Sequence, residues 1–293
     1  MKILALNPPF HRKFSRPQRS PAVTKSGTLY YPLWLAYAVG ILEENGHDVT
    51  FIDAPARDIS LEQVLKTVQD ETPGLIIVDT STPSINNDVQ VAEKLREIAP
   101  NTFILLVGTH VSALSEESMA MCPAADAVAR REYDHTVREL ATLLDGGETR
   151  PDAAKLATVE GITFRDSSGK LVANPDRKLI EDLDELPWVS RVYLNHLEYT
   201  DYFNQNSLHP MVTLVTSRGC PFKCSFCVYP QTLTGRRYRF RSIPDVVEEM
   251  RFVADNFPGV KCIFFEDDTL TANKKRCMEF AQAVIDSGVK IPW

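Results

Sequence analysis

Strand-like and helix-like segments alternate through the first half of this chain, and that alternation limits the fold more than any other feature. Short apolar runs at 2–7, 48–53, 75–79, 103–107 and 126–129 are separated by helix-like stretches at 32–45, 61–71, 87–99, 115–121 and 133–144. Strands that alternate with helices pair in parallel, and apolar runs without alternation suit strands covered on both faces. The expected architecture is an α/β doubly wound parallel sheet, with Ser60 as an N-cap and Gly46 closing the first helix. Ligands of such sheets bind outside the carboxyl ends of the strands. Those ends are Asn7-Pro8-Pro9, Thr80-Ser81-Thr82-Pro83-Ser84 and Gly108-Thr109-His110-Val111. The last two are small and polar, so a large flat ligand can approach the backbone. On spacing alone they read equally as tight strand–helix turns with no ligand.

Residues 148–205 read as a connector. It contains a small hairpin, 159–164 and 171–174, joined by Asp166-Ser167-Ser168-Gly169-Lys170. The acidic stretch 179–187 is expected to be a solvated linker. A second α/β unit occupies 206–293. Its first strand, 211–216, leads into Ser217-Arg218-Gly219-Cys220-Pro221-Phe222-Lys223-Cys224-Ser225-Phe226-Cys227. Cys220, Cys224 and Cys227 thus place three thiols on one short loop. A [4Fe–4S] cluster normally takes four cysteine ligands, so three leave one iron open to a second molecule. Zinc is the first alternative, but it wants a fourth ligand; the nearest preceding histidine is His209, and none follows Cys227. Disulfides or inert thiols are the second. Further on, 245–256 reads as a helix capped by Ser242-Ile243-Pro244, 260–265 as a strand ending in Glu266-Asp267-Asp268-Thr269, and 273–286 as a helix. The run 289–293 reads as the start of a third strand.

The C-x3-C-x2-C loop after an apolar strand resembles the signature of radical S-adenosylmethionine (SAM) enzymes. The resemblance implies that Cys220, Cys224 and Cys227 ligate three irons and that SAM chelates the fourth. One electron then breaks the sulfonium C–S bond and yields a 5′-deoxyadenosyl radical. Phe226, between two ligands, shields the cluster, packs on adenine, or is ordinary packing. Glu266, Asp267 and Asp268 stand where the family places a Gly-Gly-Glu-like segment that meets the SAM amino group. The match is positional, and helix capping is the alternative.

Residues 1–147 resemble the Rossmann-like cobalamin (B12)-binding domain that precedes many radical SAM barrels. The turns Thr82-Pro83-Ser84 and Gly108-Thr109-His110 match segments that line the corrin in that group. Two departures stand out: the Asp-x-His-x-x-Gly motif is absent, and Arg131-Glu132-Tyr133 replaces a Gly-Glu pair after the fifth strand. Across nearly the whole chain the similarity is to hopanoid-biosynthesis-associated radical SAM proteins and, in architecture, to ring cyclases. It rests on Leu179-Ile180-Glu181-Asp182-Leu183-Asp184, Arg218-Gly219-Cys220-Pro221, Tyr229-Pro230-Gln231-Thr232 and Asp267-Asp268-Thr269 as well as the 80–84 turn. It implies a small or lipid-like substrate with an unactivated carbon and an electron donor such as flavodoxin or ferredoxin. A methylthiotransferase or tRNA modifier, or a non-enzymatic cobalamin or iron–sulfur sensor, is the alternative. A partial (β/α)6 barrel closes only with roughly three more βα units of ~30 residues each, so the chain is expected to be part of a longer protein.

Composition narrows the partners. A net charge of −7 over 293 residues gives no support for nucleic-acid binding. Arg236, Arg237, Arg239 and Arg241 form a local basic stretch, expected as a solvated or phosphate-facing loop, or beside an anionic ligand. No leader-like start and no apolar run near the ~20 residues of a membrane helix is present. Cysteine usage suits the cytoplasm, with Cys122, Cys262 and Cys277 expected as packing residues.

Overall fold

A computed structural model describes residues 1–17, 21–146 and 150–293. The domain boundary drawn between 147 and 148 lies outside the described residues. The first half runs β1 (Lys2–Asn7), α1 (Leu33–Glu44), β2 (Asp48–Asp53), α2 (Ala54–Arg57), α3 (Leu61–Glu71), β3 (Leu75–Thr80), α4 (Ile85–Ile98), β4 (Phe103–Gly108), α5 (Thr109–Ala113), α6 (Ser115–Met121), β5 (Ala127–Ala129) and α7 (Asp134–Asp145). Ser60 caps α3 in a capping box with Gln63. Strands β2-β1-β3-β4-β5 pair in parallel in that order. Every residue of β3 and β4 is buried, because both faces carry helices. Ile76, Val78, Ile104 and Leu106 pack with α3 and α4 residues such as Val68 and Leu95. Ile77, Leu105 and Val107 face the other way, into the core shared with α1 and α7. At about 1.5–3 kcal/mol per buried aliphatic side chain, these strands supply much of the folding drive.

Reversal of strand order between β1 and β3 makes a switch point, where ligands of this fold class enter. Arg16 fills it. Its wholly buried guanidinium donates to Asp88 at 2.7 Å, to Pro8 O at 3.0 Å, to Ser84 Oγ at 3.2 Å and to Asn7.

Next come α8 (Ala153–Leu156), β6 (Ile162–Arg165), β7 (Leu171–Ala173) and α9 (Val189–His196). The expected hairpin forms, and it does more than connect: β6 pairs antiparallel with β5 and β7 with β6, giving a seven-stranded sheet. Asp166 Oδ1 accepts from Ser168 N at 2.8 Å and Lys170 N at 3.0 Å to set its turn. The 179–187 stretch is not simply solvated. Ile180, Leu183 and Leu186 are buried, and Asp184 accepts from Ser242 N at 2.7 Å, because the apolar residues alternate with the acidic ones and anchor the segment across both units.

The second unit contains β8 (Met211–Leu214), β9 (Ser217–Arg218), α10 (Tyr229–Thr232), β10 (Arg239–Phe240), α11 (Ile243–Asn256), β11 (Cys262–Phe265) and α12 (Lys274–Ser287). β8 and β11 are parallel, and β9 and β10 form a short antiparallel ribbon. Residues 289–293 do not form the expected strand. Ile263 N→Pro292 O, at 2.9 Å, and the Trp293 ring on Phe265 link them to β11, but a proline has no N–H to continue a ladder. Helix α1 packs against both α7 and α9, α9 packs against α11, and one apolar core runs from the sheet to β8 and α11. Among the described residues no helix is long and apolar enough to cross a membrane.

Candidate functional site

Ribbon β9–β10 is the neck of the cysteine loop. Register places Arg218 opposite Arg239 and Ser217 opposite Phe240, so everything from Gly219 to Tyr238 projects beyond it. Gly219 has φ +89, and a Cβ there would stand 2.1 Å from Arg237 O. Only glycine allows so close a backbone approach. Cys220 N donates to Gly235 O at 3.2 Å, and Cys227 N to Cys224 O at 3.3 Å. Cys220 is half-buried, with Sγ 3.2 Å from Thr269 Oγ1; Cys224 is exposed and Cys227 half-buried. The loop delivers all three thiols to one end of β8, but they do not converge. Among the described residues no group of three His, Cys, Asp or Glu side chains is arranged to hold a metal. Thiols have no mutual attraction that would gather them without a metal. The donor set itself fits an iron–sulfur cluster: three soft sulfurs within eight residues and no histidine on the loop. Phe226 is 90% exposed and Phe222 54% exposed, so Phe226 shields nothing in this conformation.

The acidic trio after β11 divides its work. Asp267 accepts from Thr216 N at 3.2 and 3.1 Å, from Thr216 Oγ1 at 2.8 Å and from Ser217 Oγ. Burial pushes its carboxyl pKa up, and the Ser217 and Thr216 donors offset part of that. Asp268 accepts from Gly219 N at 3.1 Å and Thr234 Oγ1 at 2.6 Å. Both carboxylates therefore tie the cysteine loop and its neck to the end of β11. Glu266 lines a small pocket between the two halves with Pro17, Tyr31, Leu33, Trp34 and Tyr229.

That pocket adjoins the sheet's carboxyl edge. Helix α10, starting two residues after Cys227, packs on α5, directly after the Gly108 turn. Tyr229 OH donates to Pro17 O, and its ring lies 6.5 Å from Trp34. Gly108 has φ +108, and a Cβ there would lie 2.4 Å from Thr80 O and 2.6 Å from Asp79 Oδ1. Thr82 and Pro83 are exposed, and Thr109 is half-buried. His110 Nδ1 lies 3.1 Å from Thr82 Oγ1, and burial lowers its pKa. Ser84 is the exception among the expected ligand contacts. It is 1% exposed, and its hydroxyl donates to Asp88 Oδ2 at 2.6 Å while accepting from Arg16, so it serves the internal network. The structure thus brings the 82–83 turn, the 108–110 turn and the cysteine loop to one side of the molecule.

The basic stretch departs furthest from expectation. Arg236 and Arg237 bind Phe222 O and Glu181, at 2.6 Å each, near the surface. Arg239 and Arg241 are buried. Arg239 meets Glu132 with two bonds, of 2.8 and 2.7 Å, and Arg241 pairs with Glu249 at 2.5 Å and Asp245 at 2.6 Å. The acid that buries Arg239 lies 107 residues away, whereas Asp245 and Glu249 reach Arg241 from the first turns of α11 just after it. Arg218, beside the cysteine motif, joins the same buried network: Asp134 pairs with it, and Glu132 lies between it and Arg239.

Residues 19–141 match the B12 binding domain and 214–291 the Radical SAM superfamily. This chain joins a B12-binding domain to a radical SAM domain. The two domains imply cobalamin, SAM and a [4Fe–4S] cluster as cofactors. An uncharacterized methyltransferase of Pyrococcus horikoshii is 32% identical over 293 residues, covering 100% of this chain and 59% of that protein. The anaerobic magnesium-protoporphyrin IX monomethyl ester cyclase of Rubrivivax gelatinosus is 28% identical over 301 residues, covering 100% of this chain and 50% of the cyclase. The chain therefore spans about half the length of these curated relatives. The solved structure of the cobalamin-dependent S-adenosylmethionine radical enzyme OxsB, with aqua-cobalamin and S-adenosylmethionine bound, superposes with a TM-score of 0.72 at 17% identity. It covers 99% of this chain and 37% of OxsB, so the B12-binding and radical SAM domains share its fold.

Proposed function

We propose that this chain is the cofactor-bearing part of a cobalamin-dependent radical SAM enzyme acting on an unactivated carbon of a small or lipid-like substrate. The observation that carries the reading is the docking of the cysteine loop's helix α10 on α5, which sets the loop beside the Gly108–His110 turn. Cys220, Cys224 and Cys227 are the proposed cluster ligands. When bound, the cluster and SAM supply one-electron cleavage of a sulfonium carbon–sulfur bond, and cobalamin supplies a methyl carrier. Glu266, which lines the pocket between the two halves, is the proposed contact for the SAM ammonium, while Asp267 and Asp268 hold the loop. Gly108, with its φ of +108 and no room for a Cβ beside Thr80 O, shapes the turn; Thr82, Pro83 and Thr109 offer the corrin contacts, and Thr82 orients His110. Tyr31, Leu33, Trp34 and Tyr229 exclude water on the side of Glu266. The relatives are named for methyl transfer and for ring cyclisation, so hydrogen abstraction, rearrangement and methyl transfer are all within the proposal. A cytoplasmic setting with a flavodoxin or ferredoxin donor belongs to the same reading.

Anaerobic reconstitution of the full-length protein with iron and sulfide tests it. Spectra report cluster and corrinoid, and product analysis separates 5′-deoxyadenosine from S-adenosylhomocysteine. Cys224→Ala is expected to abolish SAM cleavage while corrinoid binding survives; Thr82→Trp, a bulky change at an exposed position, is expected to weaken corrinoid binding at least tenfold. Zinc in place of iron, a cluster saturated by four side chains, or undiminished cleavage by Cys224→Ala would reject the proposal.

A further inference from the structure

Two arginines face each other across the neck of the cysteine loop. Arg218 and Arg239 are cross-strand partners in β9–β10, and like charges directly opposite each other on a ribbon repel. Both are buried, at 1% and 4% exposure. The second unit supplies neither with a carboxylate. Each is matched from the first: Asp134, the first residue of α7, accepts from Arg218 Nη1 at 2.9 Å and Nη2 at 3.1 Å. Glu132, in the turn before α7, takes both ends of the Arg239 fork and lies 3.7 Å from Arg218. Helix α1 completes the enclosure, with the Arg218 guanidinium 5.0 Å from the Trp34 ring centre and 4.5 Å from that of Tyr37. Arg218 is separated from Cys220 by one residue, Gly219, whose positive φ no other residue could adopt so close to Arg237 O.

We propose that Arg218 and Asp134 form an ionic clasp that positions the cysteine loop, so that the neck closes only when the radical SAM unit is docked on the B12-binding unit. Arg218 is a positioning residue here; it touches no cofactor. A planar fork held by a carboxylate at two points fixes direction as well as distance, which a point charge does not. Asp268, on Gly219 N, secures the other side of the same turn. The proposal takes its meaning from the reading of Cys220, Cys224 and Cys227 as cluster ligands, but the test below needs no cluster, so the two can fail separately.

Alkylation by iodoacetamide, followed by peptide mass spectrometry on the reduced, metal-free chain, measures each cysteine's accessibility. Cys122 and Cys262 are buried, in core packing of the first and second units, and serve as internal controls. In the native chain, exposed Cys224 is expected to react fastest and half-buried Cys220 several-fold more slowly. Asp134→Asn is expected to raise the Cys220 rate about tenfold with Cys122 and Cys262 still protected. Arg218→Lys keeps the charge and loses the fork, and is expected to give an intermediate Cys220 rate. An unchanged Cys220 rate in folded Asp134→Asn overturns the clasp, and so does native protection in Arg218→Lys. If both variants expose Cys122 and Cys262 together with Cys220, the pair serves general stability and the positioning role is rejected. On reconstituted protein, the same variants are expected to alter the electron-paramagnetic signature of the reduced cluster at unchanged corrinoid affinity.

Discussion

Asp79 is a buried carboxyl with a strongly raised proton affinity. It is the penultimate residue of β3, beside Gly108, and burial pushes its pKa from 3.8 up to about 7; Arg16 works against that shift, while Asp88 and Asp53 add to it. Asp53 is raised by burial as well, to about 6. A carboxyl whose folded pKa is raised favours folding most below its unfolded pKa, and that contribution is lost as pH rises through the folded value. Asp79 therefore stabilises the fold near pH 4 and costs stability by pH 8. Chemical denaturation of the native chain between pH 5 and 8 is expected to show falling stability. Asp79→Asn is expected to flatten that slope and to be the more stable protein at pH 8, by on the order of a few kcal/mol. An identical pH slope in the variant would show that the carboxyl does not titrate in this window.

At the scale of elements, the turn from β5 into α7 holds a residue in a costly conformation. Arg131 has a φ of +61, the left-handed conformation that glycine adopts without cost. Its backbone N donates to Ser112 Oγ at 2.9 Å, and its side chain pairs with Asp176 at 2.9 Å. That pair is 39% and 45% exposed, so it contributes well under 1 kcal/mol, against about 1–2 kcal/mol of backbone strain. Arg131→Gly is accordingly expected to match or exceed native stability, whereas Arg131→Val loses more than about 1 kcal/mol. Equal melting curves for the two variants would remove the strain argument. The same turn carries Glu132. Its partners, Arg239 and Ile180 N, lie 107 and 48 residues further along, and no local pattern announces them.

For the whole molecule, buried charge concentrates where the two units meet. Glu132 alone serves Arg239, Arg218 and the backbone of Ile180. Removing one partner of a buried pair leaves the other charge uncompensated, at a cost of about 3–5 kcal/mol. Glu132→Gln is expected to lose stability on that scale in urea unfolding, and to do so almost equally at low and high salt, because a buried pair is poorly screened. A loss below about 1 kcal/mol, or one that vanishes in salt, would place these charges in solvent.

Much of this architecture was legible in the chain itself. Continuous apolar runs separated by amphipathic ones dictate a parallel sheet, because only strands covered on both faces lack alternation. Cys220, Cys224 and Cys227 stand together in sequence, so their chemistry could be read without coordinates. What only the tertiary structure decided is which polar groups are already occupied. Ser84, Asp267 and Asp268 look ligand-facing until Asp88, Thr216 and Gly219 are found on them, and Arg239 and Arg241 look solvated until Glu132 and Glu249 are found beside them. The physical reason is that burial of a charge is set by the partners that folding brings beside it, whereas hydrophobic periodicity and ligand spacing are local properties.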